Sequence, residues 1–125
     1  MFADCGRICL SPPQQPLLAA ADLVLMVCRS TVDQLRPAAS RIRSLQEAGL
    51  KASLLLVGDM PYGAQEVAET LGVDVAGTVA WDPSTADVVN GSGGSGRGHY
   101  RSVLVRSATT LAASLAARDS VEVRL

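Results

Sequence analysis

The chain has 125 residues, a formal net charge of −1, 48% hydrophobic residues and a mean hydropathy of +0.24. That length suits one domain, spanning residues 1–125, with a single core, and the hydropathy excludes a chain that is disordered throughout. A net charge this small supplies no whole-molecule field for nucleic acid or for an anionic membrane.

Aromatic residues make up only 3% of the chain. The core must therefore be aliphatic, which suits a sheet covered by helices better than an aromatic-rich β-sandwich. No apolar run reaches the ~18 residues of a membrane span. Asp4 and Arg7 interrupt the N-terminus, and no signal-peptide apolar stretch follows. A cytoplasmic protein is expected. The three cysteines, Cys5, Cys9 and Cys28, give no complete disulfide framework. Cys5 and Cys9 have a C-x3-C spacing that could open a metal site, but His99, the one histidine, lies far along the chain. Reduced thiols are the simpler expectation, with Cys28 at the end of a buried strand.

In chain order, MFADCGR (residues 1–7) reads as the end of a strand entering a turn. SPPQQP (11–16) is a loop, because its three prolines fix φ and remove donors. PLLAAAD (16–22) predicts a short helix with Pro in its first turn. DLVLMVCR (22–29) is a continuous apolar run of strand length, the pattern of a strand buried on both faces of a parallel sheet. Thr31 and Gln34 fit a capping box. Leu35, Ala38, Ile42, Leu45 and Ala48 then recur at helical spacing, with Pro37 early in that helix and Gly49 as its stop.

A second buried strand is predicted over 52–59 (ASLLLVGD), a short helix over 64–72, and a third strand over 73–81 (VDVAGTVAW). Ser84 is placed to cap a short helix, TADVVN, that stops at Gly91. Residues 102–117 predict the last helix. The tail SVEVRL alternates like an edge strand or frays. Alternating buried strands and helices specify an α/β fold with a mainly parallel sheet and right-handed crossovers.

The stretch NGSGGSGRGHY (90–100) poses a separate question. Gly91, Gly93 and Gly96 fit G-x-G-x-x-G, and Gly91, Gly96 and Arg97 approach G-x-x-x-x-G-K-[ST]. A phosphate loop needs a buried strand before it and a helix after it, so that amides converge on the anion. The preceding segment reads as helix, Arg97 replaces the lysine, and Gly98 stands where a hydroxyl would hold magnesium. Residues 91–100 therefore read as a flexible glycine-rich linker, with Gly91 closing a helix. Arg97, Arg101 and Arg106 form a mild basic cluster there. A solvated face takes precedence over a DNA contact.

The segments ADCGR, ADLVLMVCRSTVDQL, LLLVGDMPYGAQEVAETLGVDVAGTVAWDP and RSVLVRSATTLAASLA, in that order and spacing, resemble the ParA/MinD-type partitioning ATPases. These are deviant-Walker P-loop NTPases, and the likeness is greatest to MinD-like members of actinobacteria. It covers residues 2–117 and corresponds to the C-terminal part of the family's domain. The resemblance implies a Rossmann-like P-loop NTPase fold lacking its first strand and phosphate loop. It implies ATP and Mg as cofactors of the complete domain, a role in chromosome or plasmid partitioning or in cell-division-site positioning, and a homodimer or a partner protein.

By the same resemblance, Asp4 matches the Walker B aspartate that supports Mg through water, and Gly6 matches the switch II glycine. Asp59 stands where the family has a base-reading Asn. Trp81, Asp82 and Pro83 match the segment passing near the base. No K-G-G-x-G-K-[ST] loop is present, and the single lysine is Lys51. The chain is thus expected to be a truncated ATPase that does not hydrolyse ATP alone. The other reading is a non-catalytic interaction module, with an unpaired sheet edge that a partner chain completes.

Overall fold

The computed structural model describes residues 1–7, 14–93, 98 and 101–122, with side chains up to residue 118. Eight elements follow in order: α1 (Gln15–Ala20), β1 (Val24–Arg29), α2 (Val32–Glu47), β2 (Ala52–Val57), α3 (Ala64–Leu71), β3 (Val75–Val79), α4 (Pro83–Val89) and α5 (Val103–Glu122). The three strands form one parallel sheet in the order β1-β2-β3. The chain is therefore α/β, with a small parallel sheet compatible with a Rossmann-like arrangement.

Parallel neighbours need a crossover connection, and α2 and α3 supply the two. Both strand steps run in one direction across the sheet, so right-handed crossovers place both helices on one face. That face holds the core. Val24 and Cys28 of β1, and Ala52, Leu54 and Leu56 of β2, meet Leu35, Ala38, Ala39 and Ile42 of α2 and Val67 of α3. Ile42, Leu54 and Leu56 are completely buried. The i, i+3, i+4, i+7 spacing of Leu35, Ala38, Ala39 and Ile42 makes α2 fit this face.

Local chemistry sets the helix ends. Leu50 N–H donates to Leu45 C=O at 3.0 Å and Gly49 N–H to Gln46 C=O at 2.9 Å, closing α2 in a Schellman motif. Gly49 takes φ +84°, the left-handed conformation that this closure needs. The capping box expected at the start of α2 does not form. Thr31 makes no side-chain cap, and Gln34 instead accepts a hydrogen bond from Arg29 N–H at 2.9 Å. The strand end competes for the Gln34 side chain and wins it.

The second face of the sheet carries Leu25, Val27 and Arg29 of β1 with Leu55 and Val57 of β2. α5 covers it over β3. Register passes from Leu54↔Val75 to Leu55↔Gly77, so Ala76 is the extra residue of a bulge. Immediately after it, Gly77 leaves room for Leu111 of α5: a Cβ there would lie 2.8 Å from Leu111 Cδ1. Ser107 Oγ accepts from Ala80 N–H at 2.9 Å, and Arg118 Nη1 lies 3.6 Å from Asp74 Oδ2. Asp74 in turn accepts from the buried Ser53 hydroxyl.

Beyond the capping box, four expectations need correction. β1 is not buried on both faces, because among the described residues it is an edge strand and Val27 on its second face is 58% exposed. Residues 1–6 are irregular, not a strand end, because no strand of this sheet lies beside them to pair. The last helix continues to Glu122, so the start of SVEVRL is helical and does not add an edge strand. Asp82, not Ser84, is the N-cap of α4: its carboxylate accepts from Thr85 N–H at 3.2 Å, and Pro83 occupies the first helical turn. Gly91, at φ +77°, does follow the end of α4 as expected. Of the linker read over 91–100, residues 94–97, 99 and 100, including Gly96, Arg97 and His99, lie outside the described residues, as does Cys9.

Gly77→Val should force Leu111 and α5 off the sheet and destabilise the fold by about 1–3 kcal/mol, the usual cost of overpacking. Gly77→Ala should cost less, since the flexible end of Leu111 can turn aside. Urea midpoints of the two variants against the parent chain measure the difference.

Candidate functional site

In a parallel sheet the carboxyl ends of the strands lie along one edge, and ligands of open α/β folds bind there. Register aligns Arg29 with Val57 and Val57 with Val79. Arg29, Gly58-Asp59 and Trp81-Asp82-Pro83 therefore share that edge. Gly58 N–H donates to Val79 C=O at 2.8 Å, which extends the β2–β3 pairing by one step. A Cβ on Gly58 would sit 3.5 Å from Trp81 Cβ, so the two loops are in van der Waals range.

Trp81 lies beyond β3 and is 55% exposed. The Arg29 guanidinium stacks over its ring, 4.3 Å from the centroid. The cation holds one face of the indole. No motif in the sequence singles out Arg29. Its signal was parity: Leu25, Val27 and Arg29 alternate onto the face opposite the α2/α3 core, so Arg29 ends on the side to which the β3 loop returns.

Asp59 is exposed and makes no hydrogen bond or ion pair among the described residues. Its carboxylate is available to a ligand. Asp82 is engaged. Thr85 Oγ1 donates to Oδ2 at 2.7 Å, and Ser84 Oγ donates to Oδ1 at 2.9 Å beside the Thr85 amide. These bonds, those of Thr85 foremost, hold its carboxyl below the ordinary value. Pro83 is exposed at the start of α4, where it fixes the helix entry.

Asp4 and Gly6 form a separate feature. Gly6 N–H donates to Asp4 Oδ1 at 2.8 Å, and Gly6 takes φ +61°, so the pair closes an Asx turn. Gln14 Nε2 anchors this turn, donating to Cys5 C=O at 2.8 Å and to Arg7 C=O at 3.3 Å. Among the described residues no hydrogen bond or ion pair joins Asp4 or Gly6 to Asp59, Trp81 or Asp82. The structure thus gathers Asp59, Trp81, Asp82 and Pro83 and leaves the Asp4-Gly6 turn apart from them.

Two other features bear on chemistry. Among the described residues no three His, Cys, Asp or Glu side chains cluster to hold a metal. A groove of about 210 Å³ runs between α2 and α3, lined by Val32, Leu35, Arg36, Tyr62, Glu66 and Val67 among others. None of the sequence-predicted site residues borders it. Among the described residues no helix is long and apolar enough to cross a membrane.

No family model, curated protein or solved structure matches this chain. The fold class thus rests on the strand topology, and the site on the contacts just given.

The depressed Asp82 carboxyl has a pH consequence. Its contribution to stability is complete above the ordinary aspartate range, near pH 4, and is lost as pH falls through the lowered folded value. Asp82→Ala should lower the melting temperature at neutral pH. The gap to the parent chain should close on acidification, and melting curves of both from pH 7 to pH 2 measure it.

Proposed function

We propose that this chain is a ParA/MinD-like relative whose carboxyl sheet edge takes the base end of an adenine nucleotide and which does not hydrolyse ATP alone. One observation carries the reading: the Arg29-backed, half-exposed Trp81 ring beside the unpaired Asp59 at the carboxyl edge of a parallel sheet. An aromatic ring offers a stacking surface for a base. A carboxylate can accept from an exocyclic amino group, although it cannot also donate as an amide would. In a complete ATPase domain such a site serves partitioning or division-site positioning, and that role belongs to the same proposal.

The phosphate end fits less well. The sequence carries no K-G-G-x-G-K-[ST] stretch whose amides and lysine would hold the phosphates. Asp4 has one oxygen occupied by Gly6 N–H, and among the described residues it belongs to no cluster of three His, Cys, Asp or Glu side chains. No hydrolytic step is therefore derived from these residues. What they do is narrower: Arg29 fixes the Trp81 plane, Gly58 turns the chain after β2 at φ +80°, and Asp82 pins the loop to α4.

A specific observation also supports the interaction-module reading, and it is independent of nucleotide. Among the described residues β1 is an edge strand whose outer side has no strand beside it. Such an edge is a template for another chain.

Trp81 is the single tryptophan, so its fluorescence reports on the site directly. ATP and adenosine should quench it equally, at millimolar concentration, with no dependence on Mg and no change in Asp4→Ala. Asp59→Ala should weaken the effect several-fold. Absence of quenching removes the base site. Micromolar, Mg-dependent ATP binding that is lost in Asp4→Ala, measured by calorimetry, overturns the claim that the phosphate end is not built.

A further inference from the structure

The open edge of β1 has a definite extent. Val24 N–H donates to Lys51 C=O at 2.8 Å, so Val24 points its backbone groups toward β2. Alternation along the strand then points Met26 and Cys28 the same way, and Leu25, Val27 and Arg29 outward. The outward Arg29 N–H is already satisfied by Gln34 Oε1. What remains is the Arg29 C=O at the strand end and, within the strand, Leu25 and Val27, each with one free N–H and one free C=O among the described residues.

The usual protections are missing from this stretch. Val24 to Cys28 contains no Pro and no charge, and the β1–β2 register is unbroken by any bulge. Val27 is 58% exposed. The opposite edge differs, because the Ser107 hydroxyl on α5 caps Ala80 N–H beyond β3.

We infer that β1 pairs antiparallel with β1 of a second copy of this chain, about a twofold axis through Met26. This deepens the interaction-module reading and rests on it. With Met26 opposite Met26, Leu25 of one copy faces Val27 of the other. Leu25 and Val27 exchange N–H···O=C bonds in both directions, and the twofold repeats the exchange. The outward groups of Leu25 and Val27 in both copies are thereby paired, and Gln34 keeps its bond to Arg29. The ladder stops where that cap begins. Leu25 and Val27 of opposite copies also meet side by side on the open face and cover each other.

Charge favours a second copy in this orientation. The exposed Asp22 precedes the strand and the exposed Arg29 ends it. Antiparallel pairing brings the acidic end of each strand beside the basic end of the other. Parallel pairing would set like beside like. The net charge of −1 per chain opposes association little. The product is one six-stranded sheet in the order β3-β2-β1-β1-β2-β3.

The register makes the test specific. Opposed residues without mutual hydrogen bonds have Cα atoms about 4.5 Å apart, within disulfide range. In a chain with its native cysteines replaced by serine, Met26→Cys should form a covalent homodimer on mild oxidation. Leu25→Cys and Val27→Cys should not crosslink alone, but should crosslink when mixed. Sedimentation of the unmodified chain should show a concentration-dependent dimer. Val27→Lys should weaken that dimer at least about tenfold while leaving the circular dichroism spectrum unchanged.

A monomer at every concentration, or a dimer indifferent to Val27→Lys and Met26→Cys, overturns the proposal. Amide exchange then separates the two levels. Fast exchange at Leu25 and Val27 in a monomer leaves the edge open and the interaction-module reading standing. Slow exchange there means that the chain's own segments cover the edge, and both readings fall.

Discussion

Parallel pairing of three short strands is the constraint on which the rest of this structure depends. A parallel step cannot be closed by a tight turn, so the chain must travel back along the sheet between strands. That return is made by α2 and α3, and their apolar stripes seal one face of the sheet over Leu54, Leu56 and Ile42. The same constraint sends every strand's carboxyl end to one side. Arg29 and Trp81 meet because of it, with Asp59 on the same edge, though they are far apart in sequence. It also leaves β1 with an outer side that nothing in the described chain pairs.

The two faces of the sheet are unequal. On the α2/α3 side, large aliphatic residues interdigitate. On the other side α5 reaches β3, and Val27 at the far strand stays more than half exposed. A small sheet with one complete face and one partial face has apolar surface still to bury. Burial of that surface and pairing of the free β1 groups work in the same direction, since both lie at the same strand. Nucleotide binding at the carboxyl edge would use the Trp81 ring and the Asp59 carboxylate, whereas pairing uses the backbone of Leu25 and Val27, and Arg29 borders both.

The strands and main helices were legible because their signals are local and periodic. Residues 22–29 and 52–59 are unbroken apolar runs, and Leu35, Ala38 and Ile42 repeat at helical spacing. Gly49 and Gly91 were readable as helix stops for the same reason. The errors fall where a local preference met a distant competitor. Gln34 has the spacing of a capping box, yet it serves a strand end that sequence spacing cannot see. Ser84 is a good cap residue, but Asp82 accepts from more donors and takes the position. SVEVRL alternates like a strand, but the preceding helix propagates into its start, through Glu122. Of the site, Trp81, Asp82 and Asp59 were visible as residues at strand ends. The stacking of Arg29 on Trp81 was not, because a contact between two strand ends leaves no period in the sequence.

The notch at Gly77 does more than admit a side chain. α5 has no strongly one-sided apolar stripe, so broad packing alone would leave it free to slide or roll along the sheet. Leu111 enters the notch, and Ser107, one turn earlier, accepts the Ala80 amide. Two points one helical turn apart, one steric and one polar, fix both the axial position and the rotation of a rod. A slip of one turn, 5.4 Å, would put Ser107 over the notch and leave the Ala80 amide without its hydroxyl. The helix is therefore indexed against β3, the strand whose end carries Trp81.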